Sequence, residues 1–118
     1  MGRSEFVVPS DEEVLVALGV EPRASGTGEF TRAIRLVGGS GEELDLSYDV
    51  VERSVRLRLN QAHGPNLDIF YEGAELFRLW SDSSSYGIAL EFRTGTSMID
   101  LKICVHPKMA IASRCLLV

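Results

Sequence analysis

Between residues 43 and 60 the chain alternates apolar and polar positions with a period of two. Leu44, Leu46, Tyr48 and Val50 alternate with Glu43, Asp45, Ser47 and Asp49, and Val55, Leu57 and Leu59 alternate with Arg56, Arg58 and Asn60. This is the pattern of strands with one dry and one wet face. Joining the two runs through residues 50–53 sets Leu46 opposite Leu57, so the dry faces coincide. The same matching extends outward. Across the Gly38-Gly39-Ser40-Gly41 turn, Phe30, Ile34 and Leu36 join the dry face, and on the other side Leu67, Ile69 and Tyr71 do so. Further runs follow at 75–81, 86–93, 97–105 and 109–117, separated by Ser-rich, Thr-Gly and His-Pro-Lys breaks, with tight turns at Val51-Glu52 and Glu72-Gly73. Connections this short favour antiparallel neighbours.

Before the strands, Ser10-Asp11-Glu12-Glu13 reads as a capping box with three acids on the positive end of a helix. Val14, Leu15 and Leu18 fall on one face, and Gly19 followed by Pro22 ends the element. Residues 21–28 then connect to the strands. The pattern predicts an α+β, mainly β protein, with a short N-terminal helix over 10–19 packed on a curved antiparallel meander of seven or eight strands within 29–118. Closure into a barrel is the variant. At 118 residues the chain suits a single domain, 1–118.

Two strands are apolar on both faces. Phe70 faces away from Ile69 and Tyr71, and Leu76 and Trp80 face away from Phe77 and Leu79. The last run, 109–118, shows the same property, which suits an interior strand and demands a neighbour. Either it closes against residues 30–37 or it pairs with a second copy of the chain as a homodimer. Trp80 and Phe70 are core beneath the helix or, alternatively, a binding surface.

Charge narrows the partners. Twelve basic against 17 acidic residues give a formal charge of −5, and the ten arginines are dispersed instead of clustered, which opposes binding to nucleic acid or anionic lipid. No run approaches the roughly 18 apolar residues of a membrane span, and no export signal opens the chain. The register that sets Val105 opposite Met109 sends Cys104 and Cys115 to positions that cannot meet within the disulfide limit of about 7 Å. Two free thiols suit the cytoplasm.

Candidate chemistry is sparse. On the wet face the registers align Arg35 with Asp45, Asp45 with Arg58, and Arg58 with Asp68, a row of alternating charge that reads first as a solvated face. An up-and-down order gathers the turns at 38–42, 60–66, 81–86 and 106–108 at one end, bringing His63, His106, Asp82 and Tyr86 to that end. In an open sheet the two histidines stand about 19 Å apart, and no Gly-x-Ser-x-Gly turn accompanies the serines, so no catalytic residue is assigned. The spacings of the histidines and cysteines supply no metal ligand set, and the glycine-rich turn lacks the features of a phosphate loop, so no cofactor is expected. Elimination leaves a non-enzymatic domain that binds a partner protein, of immunity-protein or adaptor character, with Trp80, Phe70, His63, His106, Asp82 and Tyr86 as candidate contacts. The alternative is a sheet-lined or barrel pocket for a small molecule, with hydrolase-like use of the His63 and His106 end.

Overall fold

A computed structural model describes residues 5–25 and 30–117. One helix, α1 (Asp11–Leu18), precedes nine strands: β1 (Arg23–Ala24), β2 (Thr31–Val37), β3 (Glu43–Asp49), β4 (Ser54–Asn60), β5 (Leu67–Glu72), β6 (Ala74–Ser81), β7 (Tyr86–Thr94), β8 (Ser97–His106) and β9 (Ala110–Leu117). The α+β, mainly β class is therefore observed. Eight of the strands coincide with the runs read from the sequence, and the two-residue β1 is added to them.

Helix α1 forms for the reasons its sequence suggests. The Ser10 hydroxyl accepts from the Glu13 amide at 3.1 Å, the Glu13 carboxylate accepts from the Ser10 amide at 2.8 Å, and left-handed Gly19 closes the end by donating to the Leu15 carbonyl. Val14 and Leu18 are buried, whereas Leu15, expected on the same face, is largely exposed. Eight residues present only a narrow stripe to the core.

Every strand pairs antiparallel with its neighbour in sequence, except across one junction. Strands β1–β5 form one sheet and β6–β9 another. The registers read from the alternation hold, with Leu46 opposite Leu57, Arg58 opposite Asp68 and Ile99 opposite Cys115, while bulges shift the pairing of β6 with β7 and of β7 with β8. The Glu72-Gly73 step is not a hairpin turn. At Gly73, with φ of 80°, the chain leaves the first sheet for the second. Backbone bonds fasten the crossing: the Ala74 amide donates to the Arg53 carbonyl at 3.0 Å and the Arg93 amide to the Gly73 carbonyl at 2.9 Å. The Arg53 side chain, on a residue itself left-handed, donates to the Ala74 carbonyl.

The apolar faces of the two sheets meet in one core. Tyr48 of β3 stands edge-on to Phe77 of β6 at 5.0 Å, and Tyr71 of β5 packs on Phe92 of β7 at 4.9 Å. Leu44, Leu46, Leu57, Ile88, Leu90, Leu101 and Ile103 fill the layer between them. The sheets are stacked and no closed barrel forms, which removes the barrel lumen as a ligand cavity. Phe6 enters the same core, and Val7 forms a parallel bridge to Leu76 that covers the β6 edge.

Further expectations change. Phe30, assigned to the dry face, lies in the turn before β2 and is exposed. The C-terminal strand β9, read as interior, is the outer strand of its sheet, with Leu116 and Leu117 exposed. Closure against β2 is impossible once the crossing at Gly73 puts the two strands in different sheets. Trp80 and Phe70 lie on the outer faces of their sheets and not in the core beneath α1. Cys104 and Cys115 are both free.

One core polar atom stands out. The Tyr48 ring is 2% exposed and its hydroxyl is buried without a hydrogen-bond partner, while burial, with Asp11 nearby, pushes its pKa up to about 12. A buried donor left unmade carries the desolvation cost of the group. Tyr48→Phe should therefore raise stability by about 1 kcal/mol in urea denaturation. A loss of that size would mean that the hydroxyl is satisfied by a buried water.

Candidate functional site

The six residues singled out from the sequence separate into one cluster and two isolated positions. Trp80, Asp82, Tyr86 and His106 gather at one end of the four-stranded sheet. The Trp80 indole donates to the Ile88 carbonyl at 3.2 Å, and the Lys102 ammonium, reaching across β7 from β8, lies 4.3 Å from the ring centre. That reach is possible because the β7 residues between the two are Gly87 and Ala89. Gly87 also marks a bulge, and a Cβ there would run into the Ile103 carbonyl. Beyond the bulge, Tyr86 and His106 stack with ring centres 5.3 Å apart.

Asp82 holds the adjoining turn. One carboxylate oxygen accepts from the Ser84 amide at 3.0 Å and from the Ser85 amide and hydroxyl at 2.8 Å each. The Ser84 amide first, then the two Ser85 donors, keep its pKa below the usual carboxylate range, with a further contribution from Lys102. Its acceptor capacity serves the backbone, which is the role of an Asx turn.

Asp68, Asp49 and Glu13 are depressed in the same direction, chiefly by the Arg56 side chain, the Glu52 amide and the Ser10 amide respectively. Because the folded pKa values are lowered, the unfolded chain binds more protons as acid is added. The associated stability is complete above the ordinary carboxylate range and is lost as the pH falls through the folded values. Thermal melts should show the midpoint falling as the pH drops below that range. A midpoint that rises on acidification would contradict these carboxylate roles.

His63 and Phe70 belong to the other sheet. His63 lies exposed in the loop between β4 and β5. Gln61, Pro65 and Asn66 of that loop share a hollow of about 350 Å³ with Met109 and Ala110 at the start of β9. Phe70 projects from the outer face of β5, 59% exposed, opposite Arg56 of β4.

That outer face carries the charge row. Arg35 pairs with Glu43 at 2.7 Å and more loosely with Asp45 at 3.6 Å. Arg56 makes a two-pronged contact with Asp68 at 3.1 and 2.9 Å, and Arg58 approaches the same carboxylate at 3.7 Å. The diagonal Arg56–Asp68 contact thus replaces the directly opposite Arg58–Asp68 pair as the tighter one. Between these side chains the face sinks into a hollow of about 670 Å³, rimmed on one side by Glu21, Arg23 and Ser25. The sequence reading missed Lys102 and Arg23. Lys102 is one of only two lysines, on the face of β8 that Trp80 shares through β7, whereas Arg23 sits in a strand too short to show a period.

Neither a protein-family model nor a curated protein sequence matches the chain. Among solved structures, it is similar to one chain of a contact-dependent growth inhibition toxin–immunity protein complex from Klebsiella pneumoniae 342. The TM-score is 0.81 over 94% of this chain and 97% of that one, at 20% identity. The similarity is one of fold, over the whole arrangement of helix and sheets.

Proposed function

We propose that this protein acts in the cytoplasm by binding a partner protein, as an immunity-type inhibitor whose partner is a toxin. The observation that carries this reading is the near-complete fold match to a chain of a toxin–immunity complex. The polar groups at the loop end support it, since Asp82 is committed to a turn, Trp80 to a carbonyl and His106 to Tyr86. The formal charge of −5 favours a partner of basic or mixed charge. No helix among the described residues is long and apolar enough to cross a membrane. The contact surface in this reading is the outer face of the five-stranded sheet, where Phe70 supplies an exposed aromatic beside Arg56.

The test is capture of a stoichiometric partner by the tagged chain from its native cells, with identification by mass spectrometry. Expression of that partner alone should arrest growth, and co-expression of this chain should restore it. Phe70→Ala should weaken the purified complex by about tenfold or more, as removal of an interface aromatic does. A partner that is harmless alone would replace the immunity reading by an adaptor one.

A second association, with another copy of the chain, is favoured by one observation. The open edge of β9 exposes Leu116 and Leu117 beside an unpaired backbone. Light scattering should then report a dimer that deletion of residues 114–118 converts to a monomer. A monomer before deletion removes the homodimer.

A further inference from the structure

Within the proposed partner-binding reading, we infer that the hollow on the outer face of the five-stranded sheet receives an acidic, extended segment of the partner, with carboxylates at alternate residues. The hollow exists because two facing positions at the middle of the face, Ala33 and Ser47, are small while their neighbours carry long side chains. Arg23 stands on one side of this pair and Arg56 on the other, in the single cross-strand row Arg23, Ala33, Ser47, Arg56. Arg35 and Arg58 line the adjacent row.

The arginines here are unequally neutralised. Four arginines line the hollow with Glu21 and Asp45, and at its margin Glu43 holds Arg35 and Asp68 holds Arg56. Two of the four guanidinium groups have donors to spare. Among the described residues Arg23 makes no ion pair, and Arg58 reaches only a carboxylate that Arg56 already holds at both oxygens. Guanidinium forks match carboxylates in planar, two-pronged contacts.

The spacing selects the occupant. Arg23 and Arg58 lie on β1 and β4, three strand spacings apart and one row out of line, or about 16 Å at the backbone, and both line the hollow. Residues i and i+2 of an extended chain are about 7 Å apart on one side, so two alternate glutamates can each meet one arginine. A phosphate concentrates its charge at one point and meets Glu21 and Asp45 on the same walls, whereas two carboxylates divide the charge between the two arginines. Two separated carboxylates also match the two guanidinium groups with donors to spare.

The test uses the isolated chain, so its outcome is independent of whether the partner is a toxin. NMR titration with a blocked Gly-Glu-Gly-Glu-Gly peptide should give saturable shifts at the Ser47 amide and at the side-chain Nε–H signals of Arg23 and Arg58. The Gln counterpart and inorganic phosphate should not. Arg23→Gln combined with Arg58→Gln should abolish the shifts. Ala33→Leu, which fills the floor and leaves every guanidinium in place, should abolish them as well and serves if the double variant does not fold. Equal shifts with the Gln peptide, tighter binding of phosphate, or shifts that persist in Ala33→Leu would overturn the inference.

Discussion

Gly73→Ala should cost about 2 to 5 kcal/mol of stability, the sum of a left-handed alanine and an overpacked contact. Gly73 has φ of 80°, and a Cβ added there would press on the Arg93 carbonyl, a backbone atom that cannot turn aside. That backbone is already committed, because the Arg93 amide donates to Gly73 itself. Gly95 provides the control. It also has a positive φ, 58°, but an added Cβ meets nothing within 4 Å, so Gly95→Ala should cost only the conformational part, about 1 kcal/mol. Urea denaturation of the two variants separates the contributions. Equal losses would mean that the crossing between sheets relaxes around the methyl group.

Leu57→Ala should cost about 2 to 5 kcal/mol, while Arg58→Ala, one residue on, should change stability by no more than about 1 kcal/mol. Leu57 is 1% exposed in the layer between the sheets. The Arg58 side chain is half exposed, and its one ion pair is the 3.7 Å approach to Asp68. The truncation of Leu57 leaves a cavity that β3 and β5, paired on either side, cannot easily collapse. Comparable losses at the two positions would place Arg58 in a charge network that supports the fold.

The candidate site was only partly visible in one dimension. Period-two alternation correctly put Arg35, Asp45, Arg58 and Asp68 in register on a wet face. It did not reveal that Ala33 and Ser47 form a floor, because small residues carry no signal until their neighbours are known. Nor did it reveal Arg23, which reaches the face through a two-residue strand. The gathering of Asp82, Tyr86 and His106 followed from counting turns, whereas Trp80 was singled out by its two-faced strand, and its contact with Lys102 depends on Gly87 and Ala89 keeping β7 low between them. His63 could be assigned to an end of the molecule but not to a sheet.

Local sequence by itself determined the capping of α1, the eight long strands and the registers of β2 to β5 and of β8 with β9, since each depends on near neighbours, side-chain alternation and turn chemistry. The tertiary structure decided where the meander breaks. Glu72-Gly73 looks like any tight turn, and the difference between a hairpin and a crossing lies in distant partners, the Arg53 carbonyl and the Arg93 amide. From that break follow the two stacked sheets, the outward Phe70 and Trp80, and the open edge of β9. Alternation encodes which residues share a face of a strand. It does not encode what that face meets, because burial is settled by surfaces remote in sequence.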